Sequence, residues 1–419
     1  MNARAGKTRF LVLAVILALA AFGAPGASAA DNSAVKPVGI ATVASGRCGI
    51  CHPANRVAFE TSPHAREDVH CTSCHGGDDT TDDEKLAHGK GFLGRIDKVS
   101  EPKVCARCHA DEKRMRPYDL PVDQYDLYQK SAHGKLLARG DRQVAVCSDC
   151  HGAHDILPVA DPASRVYTTN IPRTCGRCHG DTTLVRQRKM HNAYAEYLTS
   201  VHAHQLFDLG NMRAPTCVSC HGVHGASPPD MADVTKACGR CHTTERRYFI
   251  AGPHAAKMAR DDVPACIACH GNHAVEASAV DRLGSSCMKC HEKGGTLEQI
   301  GPKMLVDYKQ ALAEIEKAER VIAEADAIPL QTEDYHARVE EARTYLREAM
   351  TAAHTVQPET VAGFTLRAKS VGTEIQSELE HKFANMRLSK LALVVFWFYV
   401  LVTVGILRRY RNRKPREQK

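Results

Sequence analysis

The sequence predicts a mainly α-helical chain with extensive irregular loops, split between a cysteine-rich region and a helical tail with one transmembrane helix. Three observations predict this. All 18 cysteines fall in nine C-x-x-C-H motifs between Cys48 and His291. After Gly295 the cysteines stop and Ala, Glu, Lys and Leu dominate. Finally, Leu391 to Leu407 forms an uninterrupted apolar run.

Taken in chain order, Arg4, Lys7 and Arg9 precede an apolar run from Phe10 to Phe22, followed by small residues at Ala27, Ser28, Ala29 and Ala30. That order is a secretory signal peptide, expected over 1–30 and cleaved near Ala29 or Ala30, because its apolar core is too short to span a bilayer. At the other end, the run from Leu391 is long enough to cross a membrane and carries no charge. Arg408, Arg409, Arg411, Arg413, Lys414, Arg416 and Lys419 follow it, and such a cluster stays in the cytoplasm. The expected layout is therefore 31–295 as a periplasmic cysteine-rich domain and 296–386 as a helical hairpin and stalk. The transmembrane helix is expected over 387–408 and a basic cytoplasmic tail over 409–419, in a bacterial inner membrane. The formal charge of +7 suggests nucleic-acid binding at first sight. Much of that excess lies in the cytoplasmic tail, and a secreted domain meets no nucleic acid, so that class is excluded.

The motifs are Cys48/Cys51/His52, Cys71/Cys74/His75, Cys105/Cys108/His109, Cys147/Cys150/His151, Cys175/Cys178/His179, Cys217/Cys220/His221, Cys238/Cys241/His242, Cys266/Cys269/His270 and Cys287/Cys290/His291. Zinc ribbons also use C-x-x-C pairs, and an even cysteine count in a secreted chain suits disulfides. Neither explains a histidine after every pair. Two thiols at this spacing form thioethers with the vinyl groups of a haem, while the next histidine turns under the ring as the proximal iron ligand. Nine covalently bound haem c groups are expected, with proximal ligands His52, His75, His109, His151, His179, His221, His242, His270 and His291. Fewer than thirty residues per motif leave no room for a large side-chain core, so the porphyrins form the core.

Fourteen histidines lie outside the motifs. Their placement exposes a repeat: a histidine in a small-residue context, a motif, a second histidine three residues on, then another motif. Ser131-Ala132-His133 leads to "CSDCHGAH" with His154, Ser200-Val201-His202 to "CVSCHGVH" with His224, and Gly252-Pro253-His254 to "CIACHGNH" with His273. A degenerate first unit has Ser62-Pro63-His64, with His88 in place of the missing second histidine. The expected distal ligands are His64, His88, His133, His154, His202, His224, His254 and His273. A ninth is left open among His70, His191, His204, His336, His354 and His381, with Met190, Met212 and Met258 as thioether alternatives. In the tail, Leu305, Leu312, Ile315 and Val321 recur at helical spacing and Pro329 breaks the run. A second helix is expected from about Thr332 to Val356, and a third from about Thr360 into the membrane.

These residues resemble multihaem cytochromes c of the doubled C-x-x-C-H type, cytochrome c3/c7-like, through the "CHGxH" units at His151/His154, His221/His224 and His270/His273. The resemblance covers roughly 48–291. It implies a membrane-anchored relay that takes electrons from a quinol-oxidising or b-type cytochrome partner and passes them to periplasmic or outer-membrane acceptors. A haem domain followed by long helices is also similar to the pentahaem nitrite reductase and octahaem hydroxylamine oxidoreductase lineage. That likeness implies an alternative, a reductase of nitrite, hydroxylamine or a sulfur oxyanion with one open-site haem. The chain departs from that lineage in having no C-x-x-C-K motif.

Overall fold

The computed structural model describes residues 46–229, 234–261, 265–277, 279–292 and 294–413. The signal peptide expected over 1–30, and Lys414, Arg416 and Lys419 of the basic tail, lie outside these residues. The described residues contain helices, turns and loops, without strands.

The cysteine-rich region is built from helices of three to nine residues. Even-numbered motifs form helices at Cys71–His75, Cys147–His151, Cys217–His221 and Ala265–His270. Odd-numbered motifs can close a longer helix, as in Glu101–His109 and Ile171–His179. Pro102 and Pro172 sit in the first turn of these two, where a missing N–H is tolerated. The buried apolar cluster in this region is small: Leu137, Val144 and Val146, with Tyr128 and Leu136 against it.

The tail supplies a conventional core. Helices Ile300–Asp326, Glu333–Ala352 and Pro358–Arg413 pack together through Ala311, Ile315, Ala318 and Ile322 of the first. Tyr335, Val339, Ala342 and Leu346 come from the second, and Ala368, Ile375 and Leu379 from the third. The segment expected as a stalk therefore packs against the expected hairpin. The stalk has its own apolar stripe, so its first half closes a three-helix bundle rather than standing apart. Of the large residues that stand out in the sequence of the first helix, Ile315 lies in the seam with Ile322 and the small alanines, while Leu312 and Val321 lie at its margin.

At one end of the bundle Met304, Ala349 and Val361 form a second cluster with Leu283, Ile300 and Phe364, joining the bundle to the ninth-motif segment. At the other end the third helix continues into an unburied apolar stretch long and apolar enough to cross a membrane. Phe396, Trp397, Phe398 and Tyr399 are exposed on it.

Ile322 is 1% exposed at the centre of the seam. Ile322→Ala is expected to cost the bundle about 2–5 kcal/mol, read as a lowered helical melting temperature. Leu366→Ala, at a residue 64% exposed, is expected to stay within about 0.5 kcal/mol.

Candidate metal centres

Local devices aim the histidines. Ahead of three even-numbered motifs, a residue of the motif helix caps the backbone of the residue before it. The Ser73 Oγ accepts from the His70 N–H at 3.1 Å, Asp149 Oδ2 from Val146 at 2.8 Å and Ser219 Oγ from Thr216 at 3.0 Å. Each even-numbered motif then ends in a glycine, Gly76, Gly152, Gly222 or Gly271, at φ of +67°, +89°, +86° and +76°. Side chains are strained at such angles, and after Gly152, Gly222 and Gly271 the chain brings its next histidine to the ring of the preceding even-numbered motif. Before three of the other distal histidines stands a buried serine. Ser62, Ser131 and Ser200 cap the turns that carry His64, His133 and His202.

The outcome is nine ring pairs, each joining a motif histidine to one outside the motifs. For the odd-numbered motifs these are His52 with His88, His109 with His64, His179 with His133, His242 with His202 and His291 with His254. For the even-numbered motifs they are His75 with His154, His151 with His224, His221 with His273 and His270 with His354. All eight outside histidines read from the repeat are paired, and the ninth is His354, one of the six left open. Of the remaining five, His70 bonds Asp68, His204 bonds Asp208 and His336 bonds Asp326. His191 lies 3.9 Å from Glu196, and His381 is exposed. Met190 and Met212 are exposed, and every motif histidine already faces a ring.

The centroid separations run only from 6.0 to 6.4 Å, although the planes cross at anything from 19° to 72°. Packed aromatic rings change separation with tilt. A separation indifferent to tilt indicates a common spacer, and two metal–nitrogen bonds of about 2 Å each, extended to the ring centres, match it. Four rings also fix their tautomer. Nδ1 of His75 meets the Gly94 carbonyl at 2.9 Å, His221 the Ser227 carbonyl at 3.1 Å, His354 the Thr351 carbonyl at 2.9 Å and His273 the Glu196 carboxylate at 3.3 Å. Carbonyls and carboxylates only accept, so Nδ1 carries the proton and Nε2 keeps its lone pair. Burial lowers the pKa of His64, His109, His133, His151, His179, His202, His221, His224 and His270, which favours the neutral ring.

Among the described residues no cluster of three or more His, Cys, Asp or Glu is arranged to hold a metal ion. A metal held between two such imidazoles would need further donors from outside the polypeptide, and a porphyrin would supply four. The cysteines beside each pair are half-buried or exposed and none is in a disulfide.

The thiols also reveal an order. Cys48 shares a hydrogen bond with Cys71, Cys105 with Cys147, Cys175 with Cys217 and Cys238 with Cys266, joining each odd-numbered motif to the next even one by first cysteines. The next junctions use second cysteines. Cys74 is within electrostatic reach of Cys105 and Cys108, Cys150 of Cys175 and Cys178, Cys220 of Cys238 and Cys241, and Cys269 of Cys287 and Cys290. All nine motifs thus adjoin in chain order.

Cys51 stands outside this pattern of junctions. In motifs three, five, seven and nine the second cysteine lies beside the even-numbered motif that precedes it. Motif one follows no other, so Cys51 has no such junction to enter, while Cys48 of the same motif carries the contact with Cys71. Cys51 keeps the spacing for a thioether and sits at the open end of the array.

Residues that are silent in the sequence brace the second kind of junction. The guanidinium of Arg177 donates to the Asp149 carbonyl, Arg240 to the Ser219 carbonyl at 2.9 Å and Lys289 to the Cys269 carbonyl at 3.3 Å. Each occupies the residue before the second cysteine of motif five, seven or nine, where Arg107 stands in motif three. A base recurring at one place in the odd-numbered motifs was the available signal.

One relative has a telling name. The chain is 27% identical over 135 residues to the Multiheme cytochrome MtrA of Shewanella baltica (strain OS185). That stretch is 32% of this chain and 31% of the relative, so the chain matches about a third of that protein's length. No family profile matches the chain, and no solved structure does.

Gly222→Ala places a side chain at φ +86° and is expected to cost about 1–2 kcal/mol and to displace His224 from His151. Thermal melting and a structure of the variant check this. Gly363→Ala, in a tail helix with open space around it, is expected to be neutral or stabilising by up to about 1 kcal/mol.

Proposed function

We propose that this chain is a membrane-anchored nonahaem cytochrome c that relays electrons in motif order, without bond-making chemistry of its own. The observation that carries the proposal is the set of nine motif histidines, each facing a second imidazole at one separation. The residues fit the group on three counts. The thiols adjoin the motif histidines in sequence, Nε2 is left free where Nδ1 is engaged, and among the described residues no cluster of three or more His, Cys, Asp or Glu competes as a metal site. Addition of each S–H across a vinyl group makes the thioether with no other product, and haem then supplies one reversible electron per iron. The name of the MtrA relative supports a multihaem cytochrome in general terms.

Paired imidazoles on every iron favour the relay over the reductase reading, which needs an open position. They also imply low potentials, because no methionine stands at an axial position to raise them. The chain's own residues position the rings and hold consecutive motifs together. A single apolar helix without ionisable residues makes a poor quinol site, so we assign quinol oxidation to a separate membrane partner, such as a b-type cytochrome subunit. Periplasmic or outer-membrane redox proteins are the proposed acceptors.

The test is mass spectrometry and electron paramagnetic resonance of the full chain purified from membranes. Nine covalent haems, thiols inert to alkylation (Cys51 included) and wholly low-spin iron are expected. Thiols that are free, bridged or zinc-bound would overturn the proposal, and so would a high-spin signal lost on adding nitrite or cyanide.

A further inference from the structure

The pairing of His354 sets the tail apart from an ordinary spacer. In the three preceding even-numbered motifs the partner ring comes from the next unit along, so His75 meets His154, His151 meets His224 and His221 meets His273. The eighth motif has no following unit of the repeat, and its His270 meets His354 instead, 84 positions further on in the tail. The ring geometry classifies the pair. Even-numbered pairs cross at 19°, 19° and 22°, and His270 with His354 at 23°. Odd-numbered pairs cross at 50°, 72°, 50°, 39° and 31°.

The backbone repeats the same joint. In the second and third units the residue after the capping serine donates its N–H to a carbonyl two residues past the incoming histidine: Ala132 to Ala226 at 3.0 Å and Val201 to Val275 at 2.8 Å. In the fourth unit the serine position is Gly252, and a Cβ there would lie 2.6 Å from the Thr355 carbonyl oxygen, one residue past His354. Pro253 follows, with no N–H to place. A glycine for close approach and a proline that needs no acceptor suit a visitor from outside the repeat.

We infer that the tail stands in for a fifth repeat unit, with His354 as the sixth ligand of the eighth haem iron. The membrane-anchored bundle is then a structural member of the haem chain, and the last even-numbered centre is complete only when the bundle is docked. This inference rests on the relay reading. It adds that the eighth iron alone draws its ligand from outside the cysteine-rich region.

The experiment compares the full-length holoprotein with His354→Ala, His354→Met and, as a control, His336→Ala, by electron paramagnetic resonance and redox titration. In His354→Ala one iron of nine is expected to turn high-spin and return to low-spin on adding imidazole. The signal lost should be one of the four from nearly parallel rings, with the five crossed-ring signals intact. His354→Met should keep all irons low-spin and raise one potential, while His336→Ala should match wild type. A wild-type protein without haem overturns the relay reading itself. A wild-type protein that is fully low-spin, with His354→Ala unchanged or no potential raised in His354→Met, overturns only the role of the tail.

Discussion

A gap of about 6 Å between two imidazoles, repeated nine times, is the constraint on which the cysteine-rich region depends. The side chains there assemble little apolar core of their own beyond Leu137, Val144 and Val146. What fixes the path of the chain is the need to bring a distant histidine to each motif and hold it clear of contact. Four of the nine pairs cross between successive units or between the last unit and the tail. Stability in such an array is shared between neighbours, in the manner of repeat proteins whose units cannot close a core alone.

Much of the site was legible because its chemistry is written in short, fixed spacings. The motif histidines, the "CHGxH" partners and the serine-led partners follow from residue type and distance along the chain. His88 was readable too, as a substitute in a degenerate unit, and it faces His52. The glycine after each even-numbered motif explains why the signature works: it supplies a backbone angle at which side chains are strained, and so redirects the next histidine. Which motif each outside histidine would serve was not legible. His154 lies beside its own motif in sequence, yet it caps His75, because the turn sends it backward. Nor does the spacing show that Cys51, with no motif before its own, lies outside the junctions that the other second cysteines enter.

His354 could not be singled out in advance, since the contact spans the folded bundle and no spacing records it. The bundle itself reads in sequence as a hairpin with a stalk because Leu305, Leu312, Ile315 and Val321 dominate its pattern, of which Ile315 is buried, whereas the fully buried Ala311, Ala318 and Ala325 are inconspicuous. Small residues let helices approach closely and carry little hydrophobic signal of their own. The bracing Arg177, Arg240 and Lys289 are hidden for a related reason: a surface base inside a metal motif looks like solubility until the neighbouring carbonyl appears beside it.

The third tail helix is unbroken from Pro358 to Arg413. Some 33 residues separate its first turn, beside the eighth and ninth motifs, from Leu391 where the apolar stretch begins. At 1.5 Å per residue that is a rod of about 50 Å. In the relay reading, lipid-dissolved donors travel well below that junction. Traffic onto this end of the array must arrive through proteins tall enough, or mobile enough, to meet it at altitude.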